Sequence, residues 1–221
     1  METSALQLIG MLDSPYVRRV AIAFLRLGLP FEHRPLSLFR HIDAFRKISP
    51  MLKAPSLVAD DGTVLIDSTL IIDYAVSLAP SAPRLSPSAP AAQLKALRLN
   101  GLALAVNEKA VQIHYERQLR PPEKQHQPWL ERIRGQLFAG LDALEREAAA
   151  ASNWLVDENL MLADITVATA FAFVQLNLSD IAPASQYDAL TKFWRRAESL
   201  TEFRAAPCED GVKVAAPVMT A

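Results

Sequence analysis

Ser14 stands directly before Pro15 and follows a short apolar run, Leu6 to Leu12. Serine is a preferred N-cap, and proline suits the first helical position because its φ is already helical. A helix N-terminus carries about half a positive charge and free N–H groups, so it stabilises anions. A serine hydroxyl at that position can also donate a hydrogen bond. The pattern therefore indicates a site suited to an anion such as a thiolate.

A second predicted helix start lies at Asp67-Ser68, ahead of an apolar inner face formed by Ile71, Ile72, Ala75 and Val76. Asp and Ser are expected there for structural reasons alone, because both are good N-cap residues. Anions also bind at helix N-termini, so the N–H groups of this helix start and the Ser68 hydroxyl could receive a carboxylate.

The elements that position these residues alternate between strand and helix as far as residue 79. Apolar runs predict strands at Leu6–Leu12 and Phe31–Leu36, and the Asp-Gly turn ending at Gly62 predicts a hairpin of Ser56–Ala59 with Thr63–Ile66. Helices are predicted from Pro15 to Leu27, from Phe39 to Ile48 and after Asp67. The order β-α-β-α-β-β-α predicts an α/β sheet layer.

The chain changes character at residues 80–90, which hold four prolines and three serines. Such a segment cannot continue a helix and predicts a linker. We therefore expect a first domain over 1–79 and an all-helical domain over 91–221. Its predicted helices are Ala91–Leu119, Trp129–Ala151, Ala163–Leu176, Asp188–Leu200 and Thr201–Ala206.

Composition excludes several classes of function. The 23 Lys+Arg balance 24 Asp+Glu with no basic tract, so no nucleic-acid partner is expected. Cys208 is the single cysteine, which excludes an internal disulfide and a Cys-rich zinc site, and we expect no metal. The apolar run Leu160–Leu178 contains Asp164, which favours a buried helix over a membrane span. We expect a cytoplasmic protein without a membrane partner.

Four stretches carry a family resemblance that covers essentially the whole chain. They are SPYVRRV from Ser14, KAPSL from Lys53, DSTLI from Asp67 and LADI from Leu162. In this order, and with this domain arrangement, the chain resembles the cytosolic glutathione S-transferases, whose first domain is thioredoxin-like. Its Ser-Pro-Tyr start is similar to the serine-type branches, not to those that begin Cys-Pro and exchange disulfides.

The resemblance implies that Ser14 activates the thiol of glutathione, the co-substrate, for attack on a small hydrophobic electrophile. A thiol has a pKa of about 8.5, so only a small fraction is thiolate at neutral pH. A hydrogen bond to the thiolate of about 1.5–3 kcal/mol would lower that pKa by roughly 1–2 units. The alternative is that Ser14 is only an N-cap.

The resemblance also implies how the glutathione peptide is held. A cis bond between Ala54 and Pro55 would let the Ala54 backbone pair with it as an added strand edge. An ordinary trans proline is the alternative. Asp67 and Ser68 would bind the γ-glutamyl end.

The glycyl carboxylate would meet Lys53 and His41, for which simple surface solvation is the alternative. The electrophile would lie between the first domain and the long helix after the linker, beside Tyr16, Asn107, Val111, His114 and Tyr115. Core packing is the alternative for the residues on that helix. A homodimer is expected from the resemblance.

Two further functions remain open. A glutathione-dependent isomerase is one, although that branch has Ser-Cys-Ser where this chain has Asp13-Ser14-Pro15. A non-catalytic binding or scaffold protein is the other, because the same fold serves such roles. The presence of Ser14, Lys53 and Asp67 together favours the enzyme.

The chain departs from the family pattern at Met161. The family usually has Ser or Thr three residues before the Asp of the Ala-Asp pair, where it caps the helix. Asp164 can still accept a hydrogen bond from the backbone at residue 161, so we expect half of a capping box.

Overall fold

The computed structural model describes residues 6–214, and their first part has the predicted order of elements. The strands are β1 (Leu6–Ile9), β2 (Phe31–Arg34), β3 (Ser56–Val58) and β4 (Val64–Ile66). The helices are α1 (Pro15–Leu27), α2 (Ile42–Ile48) and α3 (Ser68–Leu78). The helix predicted from Phe39 begins three residues later, because 37–41 form a turn closed by the His41 N–H donating to the Ser37 carbonyl at 3.0 Å.

The four strands form one mixed sheet in the order β2-β1-β3-β4. β1 is parallel to β2, with Leu8 opposite His33, and antiparallel to β3, with Leu8 opposite Leu57. β3 and β4 form the predicted hairpin. This arrangement is the thioredoxin-like α/β fold predicted for the first domain.

Helix α1 begins and ends at the predicted residues. Ser14 is its N-cap, and Gly28 ends it in the left-handed conformation with a φ of 68°, which glycine adopts without a Cβ penalty. The helix is buried along most of its length, including the two arginines Arg18 and Arg19. Such burial requires that both guanidinium groups find acceptors inside the protein.

The second part of the chain is all-helical, as predicted. It contains α4 (Pro90–Leu119), α5 (Gln127–Ala150), α6 (Leu162–Leu178) and α7 (Asp188–Glu198). α4 packs against both α5 and α6, and α7 packs against α5 and α6. α6 is buried over nearly its whole surface, which accounts for its continuous apolar sequence. Within residues 6–214, no helix is both long enough and apolar enough to cross a membrane.

Contacts divide the chain into two compact units at Leu85/Ser86, inside the predicted linker. The division differs from the predicted domains, because residues from Ser199 onward group with the first unit and not with the helices. The reason is α8 (Thr201–Ala205), which packs on α1. Arg18 Nε donates to the Ala206 carbonyl at 2.7 Å, and its guanidinium lies 5.6 Å from the centre of the Phe203 ring.

Asp164 at the start of α6 forms the predicted half of the capping box. Its Oδ2 accepts from the Met161 N–H at 2.8 Å, and its Oδ1 accepts from the Leu155 N–H at 2.8 Å. One carboxylate thus joins the helix start to the preceding loop. Because it is fully buried, burial raises the pKa of Asp164 to about 6.

Candidate functional site

The Ser14 hydroxyl lies at the N-terminus of α1 and is only weakly engaged with its own helix. Its Oγ accepts from the Val17 N–H at 3.5 Å, at the long limit for a hydrogen bond. The carbonyl of Ser14 accepts from the Arg18 N–H at 2.9 Å, which fixes the first turn. The side chain is half-buried and its hydroxyl hydrogen is not used by the Val17 contact. Ser14 can therefore donate to an anion placed at this helix end.

Gly10 allows two segments to meet beside this helix end. A Cβ at Gly10, whose φ is +138°, would lie 2.5 Å from Val17 Cγ2 and 3.2 Å from Ala54 Cβ. Only glycine permits this close approach of β1, α1 and the segment before β3. The Ala54–Pro55 peptide bond is cis. Sequence reasoning did not single out Gly10, although a glycine at the end of a strand is a signal of close backbone approach.

Lys53 and His41 both lie exposed on loops of the first unit. Ser56 Oγ donates to the Lys53 carbonyl at 2.8 Å, which holds the backbone of that loop. His41 Nδ1 accepts from the Ser37 N–H at 3.0 Å, so the proton of the neutral ring is on Nε2. Nε2 can then donate to a carboxylate. Among the described residues, no hydrogen bond joins Lys53 or His41 to Ser14 or Asp67.

Asp67 and Ser68 form the start of α3. Asp67 adopts a positive φ of 74°, and its Oδ1 accepts from the Thr69 N–H at 2.9 Å, as an N-cap does. A non-glycine residue in this region of φ is uncommon and is sustained by its surroundings. Ser68 is buried, at 1% exposed, while Thr69 is exposed.

A buried arginine that sequence reasoning missed as a site residue connects α1 to this helix start. Arg19 Nη1 donates to Ser68 Oγ at 2.9 Å and to Thr69 Oγ1 at 3.2 Å. Burial lowers the pKa of Arg19 to about 10, opposed by the nearby Asp67 and Tyr16, so the group stays charged at neutral pH. The signal in the sequence was an arginine pair in the middle of an apolar helix.

An ion pair that sequence reasoning also missed lies near Asp13, the residue before Ser14. Arg40 donates to both carboxylate oxygens of Asp210, with Nη1 at 2.6 Å from Oδ2. Burial and the charge of Asp210 raise the pKa of Asp13, while Arg40 opposes the shift. Burial and this ion pair therefore together influence the ionisation of Asp13, the residue that precedes Ser14.

The predicted electrophile residues belong to two different units. Tyr16 is in the first unit, half-buried on α1, and the other four lie on α4 in the second. Asn107 is fully buried, Val111 and His114 are half-buried, and Tyr115 is 38% exposed. The His114 ring meets the Phe173 ring of α6 edge-on at 5.9 Å. His114 therefore packs inside the helical unit, in agreement with the core-packing alternative given above for the residues on this helix.

Asn107 is unusual because neither of its side-chain polar atoms has a hydrogen-bond partner among the described residues. An unpaired buried amide destabilises a protein by about 1–3 kcal/mol. We expect Asn107→Leu to raise the free energy of unfolding by about 1–2 kcal/mol in chemical denaturation.

Asn100→Leu is the matched control for Asn107→Leu, because it lies on the same helix. Asn100 Oδ1 accepts from Thr166 Oγ1 at 2.8 Å, so its replacement should destabilise the protein. If Asn107→Leu lowers the free energy of unfolding as much as Asn100→Leu does, the Asn107 side chain must be hydrogen-bonded in the folded protein.

Comparison with known proteins agrees with the fold. The glutathione S-transferase N-terminal domain profile matches residues 8–83, and the C-terminal domain profile of the same family matches residues 127–196. The first match contains Ser14, Ala54, Pro55, Asp67 and Ser68. The chain belongs to the glutathione S-transferase family.

Individual relatives are similar over most of their length. The uncharacterized GST-like protein YibF of Escherichia coli (strain K12) is 29% identical over 181 residues, covering 80% of this chain and 85% of that protein. A glutathione S-transferase from Methylobacterium radiotolerans, solved with glutathione sulfonate, is 26% identical with a TM-score of 0.84, covering 92% of this chain and 94% of its own. A family member from Pseudomonas fluorescens Pf-5, solved with bound glutathione, is 27% identical with a TM-score of 0.80, covering 94% of this chain and 100% of its own.

Proposed function

We propose that this protein is a glutathione transferase of the serine type, in which Ser14 stabilises the thiolate of bound glutathione for attack on a small hydrophobic electrophile. The observation that carries the proposal is the Ser14 hydroxyl at the start of α1, which makes one long hydrogen bond, at 3.5 Å, among residues 6–214. Glutathione in the similar Pseudomonas fluorescens protein supports the choice of ligand.

Four groups of glutathione are proposed to have separate partners in the first unit: the thiol, the cysteinyl backbone and the two carboxylates. The thiol meets Ser14, and the cysteinyl backbone pairs with Ala54 next to the cis bond to Pro55. The γ-glutamyl carboxylate meets the helix N–H groups and the Ser68 hydroxyl at the start of α3, where an anion is favoured, and Asp67 lies at the same end of the peptide.

The glycyl carboxylate is proposed to lie at the opposite end, near Lys53 and His41. The Nε2 proton of His41 and the ammonium group of Lys53 are both suitable donors for it. Five residues are proposed to contact the electrophile: Tyr16, Asn107, Val111, His114 and Tyr115. The protein needs no metal for this reaction, and a cytoplasmic location would give it reduced glutathione.

Retention on immobilised glutathione, followed by thiol conjugation with a panel of electrophiles, tests the proposal. The panel should include aryl halides, α,β-unsaturated carbonyls and hydroperoxides. We expect retention together with turnover of at least one electrophile. Retention without turnover would support the non-catalytic binding protein, and a protein that does neither would overturn the proposal.

We propose that the protein is a homodimer in which the first unit of one subunit meets the long helices of the other. Large apolar side chains are exposed on both kinds of surface, with Leu94 71% and Leu97 61% exposed on α4, and Met51 71% and Leu70 59% exposed in the first unit. Exposed apolar surface of this kind is typical of protein–protein interfaces.

Light scattering at micromolar concentration is expected to give twice the mass of the chain. Leu97→Glu should convert the dimer to a monomer, because it places a charge in the proposed interface. Leu176→Glu, at a leucine 53% exposed on α6, is the control and should leave the dimer intact. A wild-type protein that is monomeric would remove the proposal.

A further inference from the structure

Arg19 is placed behind the predicted γ-glutamyl site, on α1, while the site itself is on α3. A single nitrogen, Nη1, lies 2.9 Å from Ser68 Oγ and 3.2 Å from Thr69 Oγ1. This nitrogen carries two hydrogens, so it can give one to each hydroxyl. Arginine has donors and no acceptor, so the direction of both hydrogen bonds is fixed.

The direction of these bonds determines what the hydroxyls can do. Each hydroxyl has one hydrogen to donate and lone pairs to accept with. Because Ser68 and Thr69 accept from Arg19, their own hydrogens are directed away from it, towards another acceptor. The start of α3 therefore presents hydroxyl donors together with helix N–H groups, and that combination favours an anion over a neutral or cationic group.

The positive charge of Arg19 also favours an anion at the start of α3. The group is 1% exposed, so solvent screens its positive charge poorly, although the nearby Asp67 offsets part of that charge. Arg18, the preceding residue, is also buried but donates to the carbonyls of Phe203 and Ala206. Among the described residues, Arg19 thus donates to the start of α3, while Arg18 donates to the segment around α8.

We infer that Arg19 is a positioning residue for the γ-glutamyl carboxylate: it orients the Ser68 and Thr69 hydroxyls as donors and places a buried positive charge behind them. This inference rests on the proposed function, because it takes glutathione as the ligand. It adds Thr69 to the residues that contact the carboxylate. It also explains how Ser68, itself nearly covered, is kept in donor orientation.

The test compares three thiol ligands that share the cysteine: glutathione, γ-glutamylcysteine and cysteinylglycine. γ-Glutamylcysteine keeps the γ-glutamyl carboxylate and lacks glycine, while cysteinylglycine lacks the γ-glutamyl group. Dissociation constants are measured by calorimetry, and inhibition constants serve for the weaker ligands. The variant is Arg19→Lys, which keeps the charge but cannot donate to both hydroxyls in the same fixed geometry.

Arg19→Lys should weaken glutathione and γ-glutamylcysteine by the same factor, about 10–100-fold, because one charge-assisted network is lost. Cysteinylglycine should change by less than about twofold, since it does not reach α3. Arg18→Lys is the matched control, and any loss it causes should be equal for all three ligands. Thr69→Val removes one acceptor of Arg19 on the exposed side and should reproduce part of the selective loss.

Each result separates the inference from the function on which it rests. A wild-type protein that binds none of the three ligands overturns both. A wild-type protein that binds glutathione, with Arg19→Lys weakening all three ligands equally or none of them, overturns the role of Arg19 alone. If Arg19→Lys does not fold, an unchanged ligand preference in Thr69→Val overturns that role as well.

Discussion

Replacing Ser14 by alanine is expected to slow conjugation at neutral pH by roughly 10–30-fold, because a thiol whose pKa returns to about 8.5 is only about 3% ionised at pH 7, whereas a thiol whose pKa is lowered by roughly 1–2 units is largely ionised. The helix should survive the change, because the Ser14 Oγ bond to Val17 is already long at 3.5 Å. Glutathione affinity should change little, since the peptide contacts proposed for Ala54, Asp67 and Ser68 do not involve the thiol.

The pH–rate profile distinguishes thiolate stabilisation from a general loss of activity. Raising the pH towards about 9 should restore part of the rate of Ser14→Ala, because solvent then removes the thiol proton. Ser14→Thr is the matched control, because it keeps the hydroxyl and should keep most of the neutral-pH rate. An unchanged profile for Ser14→Ala would mean that Ser14 is only a helix cap.

The second large effect concerns Asp164, whose carboxylate holds the Met161 and Leu155 N–H groups at 2.8 Å each. Burial raises its pKa from 3.8 to about 6. An acid with a raised folded-state pKa binds more protons folded than unfolded, so its contribution to stability falls as pH rises from below 3.8 through about 6. The fall amounts to about 3 kcal/mol, at 1.36 kcal/mol per pKa unit.

Asp164→Asn should abolish this pH dependence. At acid pH the variant should be less stable by about 1–3 kcal/mol, because its amide accepts only one of the two backbone N–H groups. As the pH rises from acid to neutral, the free energy of unfolding of the wild type should fall by about 3 kcal/mol relative to that of Asp164→Asn. The measurement is the free energy of unfolding against pH for both proteins, and a constant difference would show that Asp164 titrates as it does in the unfolded chain.

Local hydrogen bonding explains why so much of the first unit could be predicted from sequence. The caps at Ser14, Gly28 and Asp67 act within their own first or last turn, so residue type and spacing were enough to place them. The hairpin followed from the turn at Gly62, whose φ of 86° suits glycine.

Contacts between distant parts of the chain could not be predicted in the same way. Arg19 donates to Ser68 and Thr69, which are 49 and 50 residues away. Arg40 donates to Asp210, which is 170 residues away. His33 Nδ1 accepts from the Val214 N–H at 3.1 Å, which ties the later chain to β2. Periodicity assigned residues after Ser199 to the helical domain, because it reports helix type and not the surface on which a helix packs.

The central claim is tested most directly by the ionisation of the glutathione thiol in the complex. Ultraviolet absorbance of the thiolate, recorded against pH for bound glutathione, gives the thiol pKa in the wild type and in Ser14→Ala. We predict that wild type lowers the thiol pKa by roughly 1–2 units from about 8.5, and that Ser14→Ala returns it close to the free value. A bound thiol pKa that is the same in both proteins would contradict the assignment of Ser14 as the group that activates glutathione.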